Sequence, residues 1–379
     1  MVGIVSKPDT QRKLEILSAD SQYDLACACG TGKDEHRRRS SKGGWIYPVT
    51  LASGGKSILL KTLLSNVCTS DCKYCPLREQ QDIRRCSLGV EETANVFLDY
   101  FSRRKVHGLF LSSGVIGSAD TTMDRLNGVA KLLRGKHKFK GYIHLKVIPG
   151  AADAAIEEAV SLASAVSLNI ETPGESSLRK LSARKRYIED IIKPIKLISR
   201  LTSRGTRYER VNQTTQFIVG AAGEADREIV RYMFGLYDRL KLQRVYFSAY
   251  QRGLGDEAIA GEQPGPRNAA DVFMREHRLY QVDFLLRKYG FAESDILFGP
   301  NGNLSLTVDP KEAWARMHPE VYPAEVNRAS RLELLRVPGL GPVSVKRILQ
   351  RRKQGPLTRL EDIGRAGARL EKAAKYLVF

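Results

Sequence analysis

An α/β fold, a partial (β/α)6 TIM-like barrel followed by a small all-α C-terminal domain, is what three features of this sequence predict. Six short apolar runs, at 58–64, 108–112, 142–148, 165–170, 214–219 and 244–249, alternate with amphipathic segments. Three cysteines crowd into eight residues directly after the first of those runs. From residue 326 the strand pattern stops, and short basic helices flank a Pro-Gly-Leu-Gly turn.

Strands that alternate with helices imply parallel pairing through right-handed crossovers, and six of them suit a partial barrel better than a closed eight-stranded one. The helices are expected near 91–105, 121–134, 151–163, 185–203 and 224–240. In the first of these, Val96, Phe97, Tyr100 and Phe101 recur at helical spacing. Residues 1–57 read as a lead-in with little regular structure beyond a short helix at Gln11–Leu17, and 58–255 as the barrel. Residues 256–325 read as a linker with one packing helix, on which Leu279, Val282, Leu285, Leu286 and Tyr289 share a stripe. Residues 326–379 form the C-terminal domain, with Leu360, Ile363, Leu370 and Leu377 expected to pack back on it.

Composition narrows the class. Hydrophobic content of 42% and charged content of 27% are ordinary for a globular protein. No run of about 18 apolar residues is present, so no membrane helix is expected. The first residues lack the apolar core of a secretory signal, and six cysteines in 379 residues make no disulfide framework. A cytoplasmic location is the expectation. Net charge is +19 and unevenly spread. Residues 326–379 hold 13 Lys/Arg against 4 Asp/Glu, and residues 176–210 hold 11 against 3. Two basic patches on an otherwise balanced chain point to a polyanion, most simply nucleic acid.

The loop Cys68-Thr69-Ser70-Asp71-Cys72-Lys73-Tyr74-Cys75 offers three soft ligands in one run. Structural zinc prefers four ligands, usually as two separate pairs, so iron suits this spacing better, with a zinc loop as the competing reading. The pattern C-x3-C-x2-C, with Tyr74 before the last cysteine, resembles the signature of the radical SAM enzymes. That resemblance implies that Cys68, Cys72 and Cys75 hold a [4Fe–4S] cluster whose open iron chelates S-adenosylmethionine. It also implies a reductant such as flavodoxin or ferredoxin.

Later strand ends are expected to wall the same site. Ser112-Ser113-Gly114 stands where the family usually carries a Gly-Gly-Glu type motif, so the position matches while the acidic residue is lost. His144 and Lys146 share one face of the third strand and are candidate catalytic groups, as is Tyr250 at the end of the last strand. By resemblance, Asn169 and Glu171 fall where the family contacts the ribose and methionine parts of the cofactor; the competing reading is that Glu171 caps the next helix. Gly220 and Gly223 resemble the family's glycine-rich turn near the adenine. Arg179, Lys180, Arg184, Lys185 and Arg186 follow the fourth strand and are expected to face a phosphate-bearing substrate. Cys27, Cys29 and Cys86 leave a second cluster open.

The stretch Val337-Pro-Gly339-Leu-Gly341-Pro-Val-Ser344-Val-Lys346-Arg347 resembles a helix–hairpin–helix nucleic-acid module. Its glycines allow close backbone approach, and the N–H groups opening the second helix can face a phosphate. The cysteine loop, the His144-Leu-Lys146 strand, the helix Glu276-His-Arg-Leu-Tyr-Gln and this hairpin together resemble the radical SAM proteins described as acting in DNA modification or repair. The implied activity is radical chemistry on DNA. An RNA-modifying radical SAM enzyme and a non-catalytic iron–sulfur nucleic-acid-binding protein stand as alternatives.

Overall fold

The computed structural model describes residues 8–21, 44–50, 56–264, 269–365 and 367–379. These fall into two compact units, one within Met1–Glu224 and Gly235–Phe273, the other comprising Ala225–Phe234 and Met274–Phe379.

The first unit is built on a seven-stranded sheet whose strands lie side by side in chain order: β1 (Ile46–Thr50), β2 (Lys56–Leu63), β3 (Gly108–Ser112), β4 (Tyr142–Lys146), β5 (Ala165–Ser167), β6 (Asn212–Val219) and β7 (Arg244–Ala249). β2 through β7 pair in parallel, giving the six expected strands of an open, incomplete barrel. Helices α2 (Val90–Ser102), α3 (Ala119–Lys131), α4 (Asp153–Leu162), α6 (Lys193–Leu201) and α7 (Asp226–Asp238) occupy the crossovers, with the division between units running through α7. Both faces of the sheet are covered, as parallel pairing requires: Leu109, Phe110 and Leu111 are all buried in succession.

Three details depart from the sequence reading. Besides the expected helix, which runs as α1 (Thr10–Asp20) and is capped by Asp9 accepting from the Arg12 N–H at 2.7 Å, the lead-in contains β1. β1 is antiparallel to β2 at the sheet edge, the one place where Pro48 can sit in a strand without breaking a ladder on both sides. The fourth predicted strand stops at Ser167 instead of Ile170. There the Thr215 hydroxyl inserts between strands, donating to Leu168 O at 2.7 Å and accepting from Ile170 N at 2.8 Å, in place of ladder bonds. The expected helix 185–203 begins later, a π-helical turn at Tyr187–Ile192 leading into α6, and the short helix α5 (Glu175–Leu181) precedes it.

The second unit contains α9 (Pro310–Met317), α10 (Arg331–Arg336), α11 (Pro342–Arg351), α12 (Ala368–Ala374) and most of α8 (Ala269–Lys288). It is not all-helical, because β8 (Ala324–Glu325) pairs in parallel with β9 (Leu377–Val378). Val326, Leu334, Val345, Ile348, Ile363 and Leu370 belong to its core, with Leu360 packed against them. Among the described residues no helix is long and apolar enough to cross a membrane.

A buried ion pair anchors this unit. Arg275 Nε lies 2.6 Å from Asp226 Oδ1, with the two side chains 8% and 1% exposed, and Asp226 also accepts from Leu304 N at 2.9 Å. Replacing Asp226 with Ala strips the carboxylate from a guanidinium that stays buried. A loss of about 3–5 kcal/mol is expected, measured as a lower midpoint for this unit in urea unfolding; an unchanged midpoint would refute it.

Candidate cysteine-lined active site

β2 ends at Leu63, and the chain leaves the sheet through a loop fixed almost wholly by hydrogen bonds. The Arg85 guanidinium donates to four backbone carbonyls, those of Asn66, Leu77, Arg78 and Gln81. Asn66 donates to Asp20 at 2.7 Å and accepts from Cys86 N at 2.8 Å. Backbone N–H groups point at the sulfurs: Ser70 and Val115 toward Cys68 Sγ, and Leu77 toward Cys75 Sγ, each at 3.4 Å. Gly114 passes so close that a Cβ there would collide with Val67 O and crowd Cys68.

A second segment braces the loop from across the sheet. Asp71, inside the cysteine run, accepts from Ser182 Oγ at 2.5 Å, Ala183 N at 2.8 Å and Arg184 N at 3.3 Å. Burial alone would raise the Asp71 carboxyl, but these hydrogen bonds carry it below its ordinary value. Arg184 donates to Thr69 O and pairs with Glu79 at 2.6 Å, while Lys73 N donates to Leu181 O at 2.8 Å. On the other side Asp256 N donates to Lys73 O at 2.7 Å, and Arg78 reaches Leu254 O at 3.2 Å. That covering loop is itself pinned by Glu262, which accepts from the Tyr250 hydroxyl and from Gly253 N and Gly255 N.

All three cysteines open onto one cleft holding about 1100 Å³ of empty space, counting its solvent mouth. Tyr74, the Ser112-Ser113-Gly114 turn, Lys146, Asn169, Glu171 and Tyr250 line the same cleft, so the structure brings most of the sequence-derived candidates together. Burial raises the Cys72 and Cys75 thiols above their ordinary range, and neighbouring thiols add to the effect. Among the described residues no three His, Cys, Asp or Glu side chains converge on a point suited to a single metal ion. The three thiols line one cleft.

Some expectations are corrected. His144 does not line the cleft; its Nε2 lies 2.9 Å from Ser167 Oγ and its ring packs 4.5 Å from Phe110. Gly220 and Gly223 take positive φ values of 91° and 77°, yet their turn closes on itself, with Glu224 accepting from Gly220 N and Ala222 N, and does not line the cleft. Glu171 caps no helix, since Gly174 is the N-cap of α5. Its φ of 66° is an uncommon value for a non-glycine residue, and it is held by the backbone bonds Glu171 N to Gln216 O and Ile218 N to Glu171 O.

The basic run after β5 does not form an open anionic-ligand surface. Arg179 pairs with Glu175, Arg184 with Glu79 and Arg186 with Asp190. Lys180 reaches Ala222 O at 3.4 Å. Lys185 turns inward and lines the cleft, 3.3 Å from Glu171 Oε1 and 3.5 Å from the Tyr74 hydroxyl. A charge run on a sequence carries no sign of which members face a buried carboxylate, so Lys185 was not legible as a cleft residue. Asp71 and Ser182 went unread because they meet across 111 residues of sequence. Cys86 is buried away from the cleft, and Cys27 and Cys29 lie outside the described residues.

In the second unit, Gly339 has φ 87° and lies against α12, where a Cβ would meet Arg369 O and Ala373 N. Its glycine is therefore required by packing within the unit. Gly341 is the N-cap of α11, Ser344 lies in the helix's first turn, and Lys346 projects from an exposed face. Arg347 donates to Ile363 O at 3.2 Å.

Residues 62–234 match the radical SAM superfamily. No curated protein matches the chain. Among solved structures, the FeFe-hydrogenase maturase HydG from Carboxydothermus hydrogenoformans aligns with 14% identity and a TM-score of 0.45, over 59% of this chain and 51% of its own. Methylornithine synthase (PylB) aligns with 14% identity and a TM-score of 0.46, over 60% and 63%. The cobalamin-dependent S-adenosylmethionine radical enzyme OxsB aligns with 12% identity and a TM-score of 0.37, over 81% and 51%. The chain spans less than two thirds of the length of each. The superfamily uses a [4Fe–4S] cluster and S-adenosylmethionine.

Because Gly114 leaves no room for a Cβ beside Val67 and Cys68, Gly114→Ala is expected to push the Cys68 sulfur out of place. Iron bound per chain after anaerobic reconstitution should fall several-fold with the helical circular dichroism unchanged. Full iron in that variant would show that the loop yields without cost.

Proposed function

With a radical SAM superfamily domain at residues 62–234, we propose that this protein is a radical SAM enzyme that modifies or repairs a nucleic acid, DNA before RNA. The observation that carries the chemistry is the set of three thiols lining one cleft at the C-terminal end of the parallel strands. The donor set fits an iron–sulfur cube. Its ligands are thiols lining one cleft, and N–H groups already aim at two of the sulfurs, which stabilises thiolate ligands.

Cys68, Cys72 and Cys75 would hold the cluster, leaving one iron without a protein thiolate. Held there, the group would supply one-electron reductive cleavage of S-adenosylmethionine, and with it the capacity to abstract hydrogen from a substrate. The chain's part is to bind, orient and exclude water. Ser112, Ser113 and Gly114 offer backbone beside Cys68, where a cofactor amino group can be received. Asn169 and Glu171 supply an amide and a carboxylate on the facing wall, and Lys146 and Tyr250 remain for substrate. The electron would come from a low-potential protein such as flavodoxin or ferredoxin.

The nucleic-acid part rests on the second unit. Val337 to Gly341 form the turn between α10 and α11, the helix–turn–helix order of a helix–hairpin–helix module. Arg331, Lys346, Arg352 and Lys353 surround one concavity there. Among the described residues Arg331, Lys346 and Lys353 have no carboxylate partner. Contacts of this kind hold a phosphate backbone without reading sequence. A duplex base would have to leave the stack to meet a radical in the cleft.

Two measurements test this. Reduced, reconstituted protein is expected to release 5′-deoxyadenosine from S-adenosylmethionine, faster when DNA is added; release stimulated by RNA alone would reverse the order of the two polymers, and no release at all would leave a non-catalytic binding protein. Lys346→Ala is expected to weaken DNA binding across unrelated sequences and to flatten the salt dependence by about one unit of slope. Arg347 is a poorer probe, since it also holds Ile363 O. Unchanged affinity for Lys346→Ala at all salt concentrations would remove the hairpin from the interface.

A further inference from the structure

Lys185 is the least economical residue in the cleft. Its ammonium is buried, its side chain only 13% exposed, and burying an uncompensated charge is costly. A charge-assisted hydrogen bond between ammonium and carboxylate normally closes to about 2.7–2.9 Å. Here the gap to Glu171 Oε1 is 3.3 Å, and the Tyr74 hydroxyl stands at 3.5 Å. The ammonium is shared between these two groups, in the cleft that Cys72 also lines. Tyr74 lies beneath it, with its ring centroid 5.9 Å from Nζ.

This position is over-determined by the fold. Leu181 to Arg184, the residues immediately before Lys185, are those that bind Lys73, Asp71 and Thr69 of the cysteine loop. Lys185 N is itself fixed by Ser182 Oγ at 3.2 Å. Glu171, which opposes the ammonium, is held in its left-handed conformation by two backbone bonds to β6. One segment therefore braces the sulfur-bearing loop and delivers a positive charge to the cleft its sulfurs line. A loop brace alone would need no charge at that point.

We propose that Lys185 sets the reduction potential of the cluster, its ammonium buried in the cleft the three cysteines line so that the extra negative charge of the reduced state is favoured. This rests on the reading of Cys68, Cys72 and Cys75 as cluster ligands. Charge and hydrogen bonds at the sulfurs, together with burial, are what tune such clusters. In a cleft of low effective dielectric a single buried charge outweighs many at the surface. Glu171 opposes the effect from farther round the same ammonium, so the pair gives a potential adjustable in both directions.

The test is an electron-paramagnetic-resonance redox titration of the reconstituted full-length protein without S-adenosylmethionine. At the wild-type midpoint, the ratio of reduced to oxidised cluster is expected to fall at least tenfold in Lys185→Met, equivalent to 59 mV for a one-electron couple. Lys185→Arg, which keeps the charge, should stay within about threefold of wild type, taking that tenfold as the full effect of the charge. A wild-type ratio in Lys185→Met with full iron content overturns the proposal, as does loss of iron in both variants, which would mean a purely structural role. If only Lys185→Met fails to take up iron, Glu171→Gln decides: a higher ratio supports the proposal and an unchanged one overturns it. Wild-type protein that takes up no [4Fe–4S] cluster would instead remove the cofactor reading, and this inference with it.

Discussion

A loop that must present three thiols to one cavity has no ladder of its own to satisfy its backbone, and that constraint shapes the first unit. Buried carbonyls and N–H groups left unpaired cost free energy comparable to a lost hydrogen bond each. Arg85 answers four carbonyls with one guanidinium, and Asp71 answers three donors with one carboxylate. The partners of Asp71 lie more than 110 residues away along the chain. The cysteine loop therefore takes its shape only when the strands and crossovers between β2 and α5 are in place. The metal-ligand spacing is local; the geometry that makes it usable is not.

The sheet beneath changes character along its length in a way that suits this arrangement. Lower in the strands Leu109, Leu111, Ile143, Leu145 and Val166 are fully buried on one side. At the C-terminal ends of β2 to β5 the register sets Leu63 beside Ser112 and Lys146 beside Ser167. Polar side chains therefore gather where the strands stop and the cleft begins, while hydrophobic burial keeps the strands below rigid. A site built on strand ends inherits the precision of the sheet, whereas a site built on loops alone would not.

The legible parts of the fold are those governed by local pattern. The runs at 108–112 and 244–249 coincide with β3 and β7 because apolar residues of strand length are bounded by turn residues. What escaped depends on long-range partners. β1 was hidden by Pro48, which is admissible only because β2 pairs it at an edge. The early end of β5 depends on the hydroxyl of Thr215, a residue some 47 positions away from the carbonyl it meets. Within the site, strand-end position together with the resemblance to a known family pointed to Tyr74, Ser112, Asn169 and Glu171, which all line the cleft. Those two signs were not enough to tell Lys185, which points inward, from Arg186, which stays at the surface with Asp190.

Charge follows the same distinction between count and placement. Residues 176–210 and 326–379 contribute similar net charge in the sequence, yet they use it differently. In the first, Arg179, Arg184, Lys185, Arg186 and Lys193 each pair with a nearby carboxylate. The exposed pairs among these add little stability but leave their cations less available to a ligand, while Lys185 pairs with Glu171 inside the cleft. In the second, Arg331, Lys346 and Lys353 gather around one concavity with no carboxylate partner among the described residues. Unpaired cations brought together repel one another, so the arrangement is electrostatically unfavourable until an anion arrives. A row of phosphates relieves that repulsion while releasing counterions, whereas a single acidic side chain would relieve only part of it. The weight of the nucleic-acid reading therefore falls on the second unit, and the basic residues of the first are explained by the cleft they help to build.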